Sequence, residues 1–174
     1  MAVRDVLLFG DPRLTAVADV VDPNRADWVT DANDLQETLT HLRKTLGFGR
    51  ALAAPQIGSS FRMVAFECDL GSFVALNPRI VWASQECRPV WDDCFSLPGT
   101  SVAVTRSVSV TMEYSDREGR LQRLERLSPG HSELVQHEID HLDGILMTQR
   151  MVAPGAIVAS AMAGRTVHPA TTRR

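Results

Sequence analysis

Leucines at 35, 39, 42 and 46 recur every three or four residues, which predicts an amphipathic helix from Asp31 to Leu46. Thr30 or Asp31 is placed to cap its start, and Gly47-Phe48-Gly49 to end it. A second helical pattern spans 132 to 146, with Leu134, Val135, Ile139, Leu142, Ile145 and Leu146 on its apolar side and Gly144 as a stop. Between the two, residues 61 to 66 read as a strand, and residues 73 to 76 as another that turns at Asn77-Pro78 into Ile80-Val81-Trp82. Residues 102 to 114 alternate as one long strand, and Asp116-Arg117-Glu118-Gly119 reads as a hairpin turn leading to a partner at 121 to 127. Asp11-Pro12 and Asp22-Pro23 mark early turns. The strands precede the second helix, so the predicted class is α+β, with antiparallel strands packed around a central helix. We read residues 1–165 as a single domain and 166–174 as a disordered tail.

Composition narrows the class without naming it. A chain of 174 residues with 44% hydrophobic content supports one core of ordinary size. A formal charge of -3 offers no basic footprint for nucleic acid; transient contact with a ribosome through a local patch stays open, although Arg173-Arg174 at the end is too little to argue it. The cysteines number three, Cys68, Cys87 and Cys94, an odd count that argues against a disulfide framework and for a reducing compartment. Residues 1 to 10 include Arg4 and Asp5 and do not form a signal peptide, and the weakly polar run 155 to 164 is too short to span a bilayer. A cytoplasmic protein without membrane contact is expected.

The second helix carries the chemistry. His137 and His141 lie four residues apart, hence on one helical face, so both imidazoles can reach one metal while Glu138 stands beside them as a proton carrier. A helix with this apolar stripe is partly buried, and its His, Glu, Asp and His need partners. For a third ligand the choice is Cys94, in the polar, turn-rich stretch Trp91-Asp92-Asp93-Cys94-Phe95-Ser96-Leu97-Pro98-Gly99. Cys68 follows an apolar run and reads as a packed or surface thiol, and Cys87 as a loop thiol. His131 reads as a surface or capping residue and Glu133 as solvent-facing, while His41 and His168 receive no role.

Three ordered motifs resemble those of the peptide deformylase family, mononuclear metallohydrolases that remove the N-formyl group from nascent bacterial polypeptides. They are Gly49-Arg50-Ala51-Leu52-Ala53-Ala54-Pro55-Gln56, Asp92-Asp93-Cys94-Phe95-Ser96, and His137-Glu138-Ile139-Asp140-His141 followed by Leu142-Asp143-Gly144. Asp11-Pro12-Arg13-Leu14 and Asn77-Pro78 are weaker similarities. The resemblance implies metal ligands Cys94, His137 and His141 with a fourth position open, the catalytic rather than the structural arrangement. It implies Glu138 as general base and acid, and the Gln56 side chain and Phe95 backbone N–H as donors to the formyl oxygen. It pairs Asp140 with Arg106 in support of the helix. It also implies Fe2+ as the native ion, with Zn2+ or Ni2+ taking its place in preparations, although a thiolate and two imidazoles also suit cobalt.

The departures from the family pattern fall on the substrate groove, assigned by resemblance to Gly49, Arg50, Ala51 and Asp93. Ala51 stands where the family has a second glycine, and keeps the groove's backbone bonds only if its φ is negative. Asp93 replaces another glycine; it adds negative charge next to the thiolate, or binds a substrate amine. Asp92 is one methylene shorter than the family's glutamate, and Ser101 and Glu133 each stand where the family has an arginine. Three functions follow from this reading. The leading one is a deformylase acting on formyl-methionyl peptides or another formylated amine, with recognition shifted by the polar changes at Asp93, His131 and Glu133. The second is an HExxH endopeptidase, weakened because residues 147–174 hold no Asp or Glu and only His168 as a downstream ligand. The third is a deformylase-like binding protein that keeps the metal and has lost turnover.

Overall fold

The computed structural model describes residues 2–163; the tail expected over 166–174, and His168 within it, lie outside them. The first helix, α1 (Val29–Leu46), starts ahead of the expected cap. Trp28 occupies the N-cap position without a side-chain bond, because Asp31 is turned to Arg4 and Asp34 accepts from Ala2 N at 2.7 Å and Arg4 Nε at 2.9 Å. These bonds pin the N-terminal segment to α1, and Gly47 closes the helix at φ 75°.

Strands β1 (Ala51–Ala53), β2 (Met63–Cys68) and β3 (Gly71–Ala83) follow. The Asn77-Pro78 pair does not turn the chain as expected: β3 runs through it with a shift in register between Leu76 and Arg79. Asn77 takes φ 52°, which asparagine tolerates better than most residues, and its side chain clasps distant backbone, accepting from Val21 N and donating to Val21 O, both at 2.8 Å. The partners that hold this bulge lie 56 residues away, beyond any local pattern.

The turn-rich stretch around Cys94 is instead the end of a strand, β4 (Cys87–Cys94), paired with β5 (Leu97–Ser107) across a tight connection at Phe95-Ser96. The single strand expected over 102–114 is two strands, β5 and β6 (Val110–Ser115), in different sheets. The break comes at Val108-Ser109, where Val108 N donates to Glu86 O at 3.0 Å and Ser109 Oγ to Leu127 O at 2.9 Å. The Asp116–Gly119 turn then joins β6 to β7 (Leu121–Leu124) as a hairpin.

The second helix, α2 (Pro129–Leu142), is shifted toward the N terminus of the expected span. Ser128 caps it through His131 N, with Pro129 in the first turn, where its missing N–H costs nothing. Gly144 follows at φ 70°, and a Cβ there would meet Thr15 O at 2.5 Å, so only glycine fits. The chain ends its described part with β8 (Ile157–Ala159) and the short α3 (Ser160–Ala163).

All strand pairs between these elements are antiparallel, in a sheet ordered β1-β2-β3-β6-β7 and a second ordered β4-β5-β8. Strand β2 shows why residues 61–66 lack alternation: Met63 and Ala65 pack with Leu35 and Leu39 of α1, while Val64 and Phe66 pack with Val135, Ile139 and Leu142 of α2. Covered on both faces, residues 63–66 are apolar without a break, and burial of Met63, Val64 and Phe66 contributes about 1.5–3 kcal/mol each. A smaller cluster of Val90, Val102, Val104 and Met147 lies under the second sheet. The helix α2 packs on β1, β2, β3 and β6 of the larger sheet and on β5 of the smaller one, so it lies between the two. The mixed α+β arrangement expected from the sequence is the one observed. No helix among the described residues is long and apolar enough to cross a membrane.

Candidate metal centre

Helix α2 brings His137, Glu138 and His141 to one place with exposures of 8%, 4% and 1%. Opposite them, the end of β4 supplies Cys94, whose Sγ lies 3.2 Å from His141 Nε2. One ligand atom from each of Cys94, His137 and His141 falls within 4.8 Å of the others. Burial alone would push the Cys94 thiol up, but the His141 and His137 rings beside it outweigh that and hold it well below its ordinary value, favouring thiolate. Burial raises Glu138 above the ordinary carboxylate range, against the pull of His137 and His141. Glu138 Oε2 and His141 Nδ1 are both buried and without a hydrogen-bond partner among the described residues.

Gln56 is delivered by the 3-10 turn Ala54–Ile57 that follows β1. Its Oε1 accepts from Ala53 N at 2.9 Å, which fixes the amide so that Nε2 faces Ser96 Oγ at 3.2 Å and Cys94 Sγ at 3.5 Å. The amide donor is therefore held at the thiol before any substrate arrives. Phe95 lays its ring over Gly49, where a Cβ would come within 2.4 Å of its Cζ, and stacks on Phe48 at 5.5 Å. With φ 112° as well, Gly49 has no substitute.

Behind the ligands runs a buried ion network. Arg106, its side chain 4% exposed, joins Asp140 on α2 to Asp92 on β4, the latter at 2.6 Å. Asp92 Oδ2 also lies 3.2 Å from His137 Nδ1, which leaves Nε2 of that ring as the nitrogen available to a metal. Burial would raise Asp92, but His137 and Arg106 prevail and hold it below the usual carboxylate range. Arg150 completes the network through Asp140 Oδ1 at 2.8 Å. The parts played by Asp92 and Arg150 escape a reading of the sequence. Asp92 and Cys94 sit two apart on one strand, hence on one face, a signal visible only once β4 is recognised as a strand.

The remaining groove residues are dispersed around this centre. Ala51 is not among the positive-φ residues and its side chain is buried with Val64 and Phe66, so the exchange for glycine leaves the backbone unstrained. Arg50 reaches across to Gly130 O at 3.1 Å. Asp93, next to the cysteine, turns away: its carboxylate accepts from Ser101 Oγ and, at 2.8 Å, from Ser160 Oγ. The carboxylate standing against the ligands is that of Asp92. Glu133 is not solvent-facing as expected; it is half-buried, 3.5 Å from Arg88, and burial raises its pKa with help from Asp92 and against Arg50 and Arg88. It lies one turn before His137 on the same helix.

The family model described as polypeptide deformylase matches residues 3–156. A peptide deformylase of Dictyoglomus thermophilum is 33% identical over 150 residues, covering 86% of this chain and 94% of that protein. A peptide deformylase-like protein of Brucella melitensis is 36% identical over 156 residues, or 87% and 90% of the two chains. The crystal structure of a peptide deformylase from Legionella pneumophila superposes with a TM-score of 0.79 at 30% identity, covering 94% of this chain and 92% of that one. By its matched span, its fold and its three motifs, the chain belongs to the polypeptide deformylase family.

Proposed function

We propose that the protein is a metal-dependent hydrolase that releases formate from the N-formylated end of nascent peptides, with residues 1–165 as one catalytic domain. The observation that carries this is the convergence of Cys94, His137 and His141, with Glu138 beside them and the Gln56 donor already aimed. The donor set fits a divalent metal: a thiolate and two imidazoles, with the buried Glu138 Oε2 beside them still lacking a partner among the described residues. When bound there, such an ion supplies a Lewis acid that acidifies water and polarises the formyl oxygen. Glu138 takes the proton of the attacking water and passes one to the leaving amine. Gln56 Nε2, with the Phe95 N–H, donates to the oxygen on which charge develops, a contact of this kind being worth about 3 kcal/mol of barrier. Asp92 and the Arg106–Asp140 pair hold His137 and its helix in register.

Strands β1 and β4 are each at the edge of their sheet, so their backbone groups can take an extended peptide between them. Gly49, Arg50, Ala51 and Asp93 border that groove. We extend the reading to Fe2+ as the native ion, replaced by Zn2+ or Ni2+ on purification, and to a cytoplasmic enzyme in transient contact with the ribosome that presents its substrate.

The Glu133–Arg88 pair, with Arg50 nearby, favours a substrate whose formylated residue is more polar than methionine, or a small formylated amine. An apolar side chain entering there would strip these charges of water without replacing their partners. The test is formate release from a panel of formyl-peptides and formylated small amines by wild type and Glu133→Leu. The variant is expected to raise kcat/KM for formyl-methionyl peptides at least about tenfold relative to polar members. A wild type already selective for formyl-methionine, and unchanged by Glu133→Leu, would sink the specificity reading alone. No formate from any member would sink the hydrolase reading.

A further inference from the structure

Residues 7–9 tie together two elements of the metal centre that no sheet joins. Gln56 lies on the turn after β1 and Ser96 in the connection between β4 and β5, and β1 and β4 belong to different sheets. Leu7 N donates to Gln56 O at 2.8 Å, and Phe9 N to Ser96 O at 2.7 Å. Gln56 Nε2 in turn faces Ser96 Oγ at 3.2 Å, which closes a ring of three hydrogen bonds through three distant parts of the chain. We propose that residues 7–9 are a positioning strap that acts through Gln56, by fixing its turn against the β4–β5 connection. The proposal rests on the donor role given to Gln56 above.

The two groups that donate to the formyl oxygen sit on the two elements the strap joins: the Gln56 side chain on one, the Phe95 N–H on the other. Gln56 Oε1 is held by Ala53 N at 2.9 Å from the end of β1, so the amide moves with its own turn. Its aim therefore depends on where that turn stands relative to Phe95. Two residues of chain span at most about 7 Å, so the carbonyls of Gln56 and Ser96 cannot separate while both strap bonds are made. Both acceptor residues are buried, at 2% and 3% exposure, so bulk water does not simply replace a lost donor. The strap is itself anchored at both ends. Before it, Arg4 N donates to Thr38 Oγ1 of α1 at 3.0 Å. Beyond it, Arg13 pairs with Asp11 at 2.7 Å and packs with Leu7 against Gly58, the residue that ends the turn of Gln56; a Cβ there would lie 3.1 Å from Arg13 Nη1 and 3.8 Å from Leu7 Cδ1. Phe9 and Leu14, with Leu146 and Met147, also line a cavity of about 10 Å³ that touches Cys94 and His141. The Asp11–Leu14 stretch thus forms the strap's footing.

The test deletes one N–H: Phe9→Pro removes the donor to Ser96 O, and Phe9→Leu keeps it. In full-length, Fe2+-loaded protein, Phe9→Pro is expected to lower kcat for formate release about 10- to 100-fold with KM within about twofold, the scale for a misplaced catalytic group. Phe9→Leu is expected to retain most of the rate. A strap acting through Gln56 loses its effect once Gln56 is gone, so in a Gln56→Ala background Phe9→Pro is expected to cost less than about twofold more. By NMR of the Zn2+-loaded protein, the Gln56 side-chain amide resonances are expected to shift in Phe9→Pro and to hold in Phe9→Leu. If Phe9→Pro does not fold, phenyllactic acid placed at position 9 by amber suppression keeps the side chain and lacks the N–H, and the same measurements apply. Gln56 amide resonances that stay still without that N–H, or a loss of kcat as large without Gln56 as with it, overturn the proposal. A wild type that releases no formate would sink the hydrolase reading, and the Gln56 amide signal would then decide the strap by itself.

Discussion

Replacing Glu138 with glutamine is expected to lower kcat for formate release by about 10³-fold, the middle of the range for a positioned acid–base group. Glutamine keeps the shape of a side chain that is 4% exposed, so packing is preserved. The ligands Cys94, His137 and His141 are untouched, so metal content is expected to stay at the wild-type level by elemental analysis. What goes is a carboxylate whose pKa burial has already raised, closer to the working pH than an exposed glutamate. Because proton transfer belongs to the transition state, kcat and kcat/KM fall together while KM moves little. A variant that turns over near the wild-type rate with metal bound would remove Glu138 from the mechanism.

Arg106→Leu is the second large effect, and it acts on stability. The guanidinium is enclosed between Asp92 and Asp140, and its loss leaves a buried carboxylate at each end, one of which Arg150 still partly serves. Breaking a buried ion network from one side costs about 3–5 kcal/mol in unfolding free energy, measurable in urea. Metal affinity is expected to fall about 10- to 100-fold, because Asp92 no longer holds His137 at a fixed angle. The pH dependence has a definite sign. Asp92 is held below its unfolded value, so its contribution is present above about pH 4 and is lost as pH falls through the lower, folded value. The gap between wild type and Arg106→Leu therefore narrows on acidification. A gap that stays constant from neutral pH to acid would show that Asp92 and Arg106 do not act as a pair.

Where the sequence could be read, and where it could not, has physical causes. The leucines of α1 and the apolar stripe of α2 mark elements whose burial follows local periodicity, and both helices are present with shifted ends. The start of α1 lies ahead of the cap its sequence suggests because Asp31 spends its carboxylate on Arg4, which nothing local announces. Strand β4 is hidden for the opposite reason: of its inward positions only Val90 is apolar, while the next two hold Asp92 and Cys94, so the strand that builds the site lacks the alternation that reveals a strand. Strand β3 passes through Asn77 because Val21, far away in the chain, holds the bulge. Residues 102–114 have the pattern of one strand, but a pattern cannot say that the chain changes sheet at Ser109. At the site, the spacing of His137 and His141 was legible from helical geometry, and Cys94 from its surroundings. The turning of Asp93 toward Ser101 and Ser160, and of Asp92 toward His137, depended on the strand's facing.

The central claim is that one metal ion on Cys94, His137 and His141 drives formate release. It is tested most directly by titrating Fe2+ anaerobically into metal-free protein and following formate from the most responsive formylated substrate. The rate is expected to climb in proportion to bound metal, reach its plateau at about one ion per chain, and stay at background in Cys94→Ala. Formate released at full rate without metal, or a fully loaded protein that releases none from any formylated substrate, would contradict it.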